Sequence, residues 1–431
     1  MIVVPAIEYT QVRHETTRRR PRGTNPWPVA RRIPAYAAAV SQLGGPPPHL
    51  PPSALRPPLT LKLRQVGAPL GVLIALGTVV GLIVIALTVV NPVGTAIAFV
   101  LSTGAMAVVV LAYVWLDRWE PEPPRLLVFA FLWGASVAIV LSMVLGTVFE
   151  AVLAPGGAAD VSALSVVLGA PLIEEAAKGL FLLLMMTGRR RNELNTMTDC
   201  LVYAGLVGVG FAWLEDILYI AGAETVGDSL LTAALRLIMA PFAHSLFTTM
   251  FAVGVGLALR QHSAVARIAL VIGGYAVAVM MHALWNGSSQ LGFDTYLLVY
   301  VLWMVPVFAV SIALAVGSRR REQRLVAAKL PGMVAAGLVM PNEATWLGSL
   351  RNRKAAIAEA RRLGGPAAGK AVGAFAAQVV ELAYVRDRID RGFGDARVFA
   401  LQYDEAHRVH AARAAAPALH WLAGYRAPRP L

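Results

Sequence analysis

Residues 68–116 read APLGVLIALGTVVGLIVIALTVVNPVGTAIAFVLSTGAMAVVVLAYVWL, without one charged side chain. The Asn91-Pro92 pair divides the stretch into two apolar blocks, at about 68–90 and 94–116. A run of about 18 or more uncharged residues crosses a bilayer as a helix. Six further blocks follow, at about 126–152, 163–187, 198–221, 229–259, 266–287 and 294–317. The sixth of the eight is long and contains Pro241, which predicts a kink, tilt or break there. The chain is 57% hydrophobic and 15% charged, against roughly 25% charged in a soluble domain. The expected fold class is therefore all-α: a polytopic helical membrane protein with about eight transmembrane helices. A small cytoplasmic helical C-terminal region is expected to follow them.

The net charge of +13 raises the question of nucleic acid. The arginines, however, sit in the tails and in short loops beside apolar blocks, which is the pattern of membrane orientation. Nucleic acid is not an expected partner; the lipid bilayer is. With a cytoplasmic N-terminus, the inner loops hold Arg118 and Arg125, Arg189-Arg190-Arg191, Arg260 and Arg267, and Arg319-Arg320-Arg321. The outer loops near 91–93, 153–162, 222–228 and 288–293 hold no Lys or Arg, and carry Asp160, Glu224 and Asp228. Every loop obeys the positive-inside rule, so both termini are expected in the cytoplasm of a multi-pass cell-membrane protein. Residues 1–65 are rich in Pro and Arg and are expected to be a disordered basic tail. Met1–Ile7 is too short for a signal peptide. The single cysteine, Cys200, excludes an intrachain disulfide and is expected to pack near a helix end.

Ionisable groups within membrane segments are costly and point to function. The fourth segment holds Pro171-Leu-Ile-Glu174-Glu175-Ala-Ala-Lys178, and the fifth holds Phe211-Ala-Trp-Leu-Glu215-Asp216. The sixth holds Arg236 and His244, and the seventh His282-Ala-Leu-Trp-Asn286. Glu174 with Lys178, and His282 with Asn286, share helix faces at i,i+4. Glu174 and Glu175 point about 100° apart and must do different work. At about 1.5 Å per residue, Glu174, Glu215 and His282 lie some 20–25 Å from their cytoplasmic ends, in the outer half of the membrane. Four helices thus aim polar groups at one depth. A carboxylate there can take a proton from water, helped by a histidine, and a second histidine with Asn286 can hold an oxyanion. Ser245 diverges from its neighbour His244, so no serine nucleophile is expected.

The ordered set Glu174-Glu175-x-x-Lys178, Phe211-x-x-x-Glu215, His244 and His282-x-x-x-Asn286 resembles the PrsW family of intramembrane proteases, itself distantly similar to the CAAX prenyl endopeptidases. The stretch Asp117-Arg-Trp-Glu120-Pro-Glu122-Pro resembles the family too, and the resemblance covers about residues 69–317. It implies an intramembrane endopeptidase that cuts a membrane-anchored protein near its extracytoplasmic side, in bacteria typically an anti-sigma factor in a stress response. It also implies catalytic roles for Glu174, Glu175, Glu215, His244 and His282, with Lys178 and Asn286 in support; Phe211, Asp216 and Arg236, from the same membrane segments, are read as further supporting residues. The family commonly has Asn where this chain has Asp216.

The family is termed a metalloprotease, whereas the prenyl endopeptidases imply a glutamate-activated water. HExxH is absent, and the ligands come singly from separate helices, which favours the route without a required cofactor. Under the metal alternative, Zn would be held by Glu174, His244 and His282. A proton-coupled transporter or an inactive helix-binding relative are the rival readings.

The expected organisation is a tail at 1–65, a transmembrane protease domain at 66–317 and a cytoplasmic helical region at 318–431. In the last, Asn342 is expected to cap a helix that stops at Gly364-Gly365-Pro366, with further helices from Lys370 to Arg391 and Asp395 to Ala416. Asp404, His407 and His410 share a face there, read as a solvated one.

Overall fold

A computed structural model describes residues 70–119, 121–153 and 163–427. The expected disordered tail, Glu120 and Asp160 lie outside the described residues. Among those residues the secondary structure is helical, with no strand. The membrane helices are α1 (Leu70–Val90), α2 (Pro92–Leu116), α3 (124–153), α4 (163–185), α5 (Met197–Ala221), α6 (226–239), α7 (Ala243–Ala258), α8 (Ala264–Gln290) and α9 (293–335).

Taking α6 and α7 as one broken span, seven helical stretches among the described residues are long and apolar enough to cross a bilayer. The eighth expected span is α4, an equally helical segment that carries Glu174, Glu175 and Lys178. The chain is a multi-pass membrane protein of the all-α class, as its sequence predicts.

Proline punctuates these helices as its chemistry requires. Asn91 caps α2 by accepting from the Gly94 N–H, and Pro92 starts the first turn, where its missing N–H costs nothing. At Pro241 the same missing donor breaks the sixth segment: Ala240 leaves helical geometry at φ −125°, ψ 34°, and α7 restarts at Ala243. The break places His244 in the first turn of α7.

Helix α5 is the hub, buried over almost its whole length. Its glycines let three neighbours approach. A Cβ at Gly205 would lie 2.1 Å from the Tyr113 ring of α2, at Gly210 2.0 Å from the Phe131 carbonyl of α3, and at Gly208 2.6 Å from the Ser245 Cα of α7. Small residues at such crossings allow backbones to pack closely in lipid, where no hydrophobic force drives helices together. Helices α7 and α8 make a similar approach at Gly254 and Gly274.

Helix α9 passes through the composition change at 317–318 and continues to Ala335. There its Val326, Leu330 and Met333 join a second core with Trp346, Phe375 and Val379 of the C-terminal helices α10 (Pro341–Leu347), α11 (Leu350–Arg388) and α12 (Ala396–Ala414). Trp119, from the α2–α3 loop, is buried in that core beside Arg353. Gly364 and Gly365 leave helical geometry where the sequence predicts a stop, and Asp395 caps α12. The expected cap at Asn342 is a correction. Asn342 lies inside α10 and donates to the Leu422 carbonyl, while Glu343 accepts from the Met340 N–H. Pro341 takes the first turn and shifts the start two residues earlier, with Met340 as the cap.

Candidate active site

Helices α4, α5, α7 and α8, with Arg236 from α6, bring the predicted ionisable residues into one buried cluster. From α4, Glu175 and Lys178 are both 0% exposed, and Glu174 is 13% exposed. Lys178 is the centre: its Nζ lies 2.9 Å from Glu175 Oε1, 3.2 Å from Glu174 Oε2 and 3.0 Å from His244 Nδ1. The Phe211 ring of α5 faces the same ammonium at 3.9 Å, a cation–π contact.

The two glutamates have separate surroundings, as adjacent helical positions must. Glu175 is consumed by structure, accepting from Lys178, from His282 Nδ1 at 3.0 Å and from the Thr248 hydroxyl at 3.2 Å. Glu174 faces the cluster interior, with Oε2 3.9 Å from His282 Nε2.

Hydrogen bonding fixes the imidazole tautomers. Lys178 can only donate, so His244 Nδ1 accepts and His244 Nε2–H donates to Glu215 Oε2 at 2.6 Å. Glu175 can only accept, so His282 Nδ1–H donates and a neutral ring keeps its Nε2 lone pair toward Glu174. Phe247 stacks on the His282 ring at 4.7 Å and packs in turn with Met281 and Met304.

Arg236 sits in a widened π turn of α6 and clamps two neighbours. Its Nη2 donates to Glu215 at 2.6 Å and its Nε to Asp216 at 2.6 Å. Glu215 and Asp216 therefore share one guanidinium. Arg236 also lies over the Tyr219 ring at 4.3 Å. Asn286 does not join the cluster. Its Nδ2 donates to the Val166 carbonyl at 3.0 Å, inside the π turn of α4, and ties α8 to α4. A π turn displaces carbonyls from regular pairing, and this amide serves one of them.

Two contributors carry no mark of function in the sequence. Thr248 lies at i+4 from His244, on the same face, and that spacing could have identified it. Phe247 has no comparable signal. His407 and His410 are exposed on α12, apart from any such constellation.

Glu174, Glu175, Glu215 and Asp216 face only Lys178 and Arg236, leaving two formal negative charges when both imidazoles are neutral. Protons or a divalent cation can close that imbalance. Glu174, His244 and His282 each offer one ligand atom, all within 4.8 Å of one another. Two imidazoles and a carboxylate form a donor set suited to Zn, and Glu175 orients the His282 ring as an outer carboxylate does. The set fits a metal in its chemistry once the His244 Nε2 proton moves.

Residues 122–311 match the profile of the PrsW family intramembrane metalloprotease. Protease PrsW of Geobacillus kaustophilus (strain HTA426) is 29% identical over 145 residues, which are 33% of this chain and 59% of that relative. The chain thus spans about three fifths of the relative's length. No solved structure matches it. The matched stretch contains every helix of the buried cluster, and over residues 122–311 the chain is similar to the PrsW family.

Proposed function

We propose that the protein is an intramembrane endopeptidase, cutting a membrane-anchored protein near its extracytoplasmic side, with both of its own termini in the cytoplasm. An anti-sigma factor is the substrate the family suggests. The observation that carries this reading is the pairing of Glu174 Oε2 with the His282 Nε2 lone pair across 3.9 Å. A water within about 2.8 Å of both accepts no competing donor and is held for attack.

In this reading Glu174 takes a proton from the water as its oxygen bonds to the scissile carbonyl carbon. The carbon–nitrogen bond then breaks, and the proton held by Glu174 passes to the departing amine. The products are a carboxylate terminus and an amine terminus. Lys178 supplies fixed positive charge beside the growing negative charge. Glu175 and Thr248 hold Lys178 and His282 in place, and Arg236 with Glu215 orients His244. Asn286 braces α8 on α4 and so sets the height of His282.

Glu174, His244 and His282 would also hold a metal ion, which would supply Lewis-acid activation of the water. The favoured route uses the glutamate and histidines alone.

The test is cleavage of a single-pass membrane substrate by the full chain in proteoliposomes, compared with Glu174→Gln. Removing the base is expected to lower the rate by about 10²–10⁴; undiminished cleavage would end the proposal. Treatment with 1,10-phenanthroline, with metal content measured, separates the two routes. Activity retained in metal-free protein supports the glutamate route, and activity lost and restored by Zn supports the metal.

A further inference from the structure

The membrane helices end against the C-terminal helices at a second polar feature, outside the cluster described above. A cavity of about 290 Å³ opens there, lined by Arg260, Arg321, Arg324, Lys329 and Arg391 and by two acids, Glu322 and Asp387. A smaller cavity adjoins it, sharing Arg260 and Arg391 and adding Arg191 and Arg388.

The acids are already engaged. Asp387 pairs with Arg391 at 2.6 Å and with Lys329 at 3.6 Å, and Glu322 accepts from the Thr198 hydroxyl. Among the described residues Arg260 and Arg321 have no carboxylate within ion-pair distance, and the Arg324 Nε reaches only the Arg320 carbonyl. Burial, and then the charges of Arg321 and Arg391, push the Arg260 guanidinium below its usual range. Burial and the neighbouring Arg388 bring Arg191 down to about 10. Arg191, Arg260, Arg321, Arg388 and Arg391 are thus held close enough for their charges to act on one another.

A positive-inside belt alone needs scattered arginines, not a cavity lined by five basic residues and two acids that already have partners. Guanidinium groups converging from separate elements form paired hydrogen bonds to phosphate oxygens. Basic pockets at the ends of membrane helices take phosphate headgroups. Arg321 follows the apolar part of α9 directly, so the cavity mouth lies at the level of the headgroups.

We infer that this cavity is a binding site for a phosphate-bearing anion, held by Arg260, Arg321 and Arg324 between the membrane helices and the C-terminal helices. A phospholipid headgroup and a soluble phosphate compound share that chemistry, and two arms of one experiment distinguish them.

The full chain, purified in a zwitterionic detergent, is titrated with inorganic pyrophosphate by calorimetry. In parallel it is mixed with phosphatidylglycerol or phosphatidylcholine, and retained lipid is counted by native mass spectrometry. Binding is expected in at least one arm, with phosphatidylglycerol retained over phosphatidylcholine if the source is lipid. Arg260→Gln with Arg321→Gln is expected to weaken that binding at least tenfold. Arg351→Gln, at an exposed arginine lining neither cavity, is expected to leave it unchanged. Should the double variant not purify folded, Arg324→Gln on the exposed rim carries the same test, with a drop of threefold or more. The inference is overturned if the wild-type chain binds neither anion, if the cavity variants bind like wild type, or if Arg351→Gln costs as much as they do.

Discussion

Replacing Lys178 with methionine tests whether the buried cluster is held closed by charge. The ammonium is fully buried and lies 2.9 Å from Glu175, 3.2 Å from Glu174 and 3.0 Å from His244 Nδ1. Methionine keeps much of the side-chain length and packs against Phe211, but takes the cluster from two formal negative charges to three. Glu175, itself 0% exposed, then loses its cation and keeps only His282 and Thr248. Removing one partner of a buried ion pair costs about 3–5 kcal/mol. Adding Glu175→Gln returns the formal charge to its starting value and leaves an oxygen to accept from His282 Nδ1–H. The double variant should therefore regain about half of the lost stability or more, since neutral replacement of a buried pair is far milder than breaking it. The assay is reversible unfolding in mixed micelles by sodium dodecyl sulfate, followed by fluorescence of the tryptophans. A Lys178→Met cost below about 1 kcal/mol, or a double variant no more stable than the single, would refute the electrostatic account.

Gly208→Ala should separate α7 from α5, because its Cβ would meet the Ser245 Cα at 2.6 Å. We expect a loss of about 1–3 kcal/mol in the same unfolding assay, and at least about a tenfold fall in cleavage as His244 shifts from Glu215. Gly104→Ala, with nothing within 4 Å of its Cβ, should change neither. Arg236→Gln should expose the pair Glu215 and Asp216 to mutual repulsion and lower cleavage about tenfold or more, whereas Arg236→Lys should restore only part, since it cannot fork to both carboxylates. Asp117, in the α2–α3 loop, is pushed up to about 7 from 3.8, chiefly by burial. The folded chain then holds its proton more tightly than the unfolded one, so this group's stabilisation is complete below 3.8 and is lost as pH rises through about 7. Wild type should lose roughly 1–4 kcal/mol more than Asp117→Asn between pH 4 and 8; parallel curves for the two proteins would exclude it.

Much of the membrane fold can be read from the sequence because length and loop charge constrain it independently. Helix α4 is the instructive case: Glu174, Glu175 and Lys178 fall within little more than one turn, yet the alternation of Arg-rich loops requires a crossing there. Glu174, Lys178, Glu215, His244 and His282 are legible because each stands out against an apolar background. Their partners are not. Thr248 and Phe247 are ordinary residues for a membrane helix and acquire meaning only through Glu175 and His282. The position of Arg236 depends on a π turn, and such a turn shifts a side chain's direction without altering hydrophobic periodicity. Asn286 follows the i,i+4 rule from His282 but is drawn off by a carbonyl that the widened turn of α4 leaves available. At 317–318 composition changes while the backbone does not, since a helix can pass from lipid to water without a break in its hydrogen bonds.

That last helix links two distant places by one unbroken rod. Toward one end, Val326, Leu330 and Met333 are embedded among the C-terminal helices; toward the other, Met304 shares an apolar cluster with Phe247, whose ring stacks on His282. A displacement of the C-terminal helices is therefore expected to reach the apolar cluster that holds the stacking partner of the imidazole. A truncation made at the change in composition would sever the rod midway and strip the greasy face it presents to Trp346. The appended helices thus share one continuous helix with the membrane bundle, and a load placed on them bears on the aromatic wall of the buried cluster.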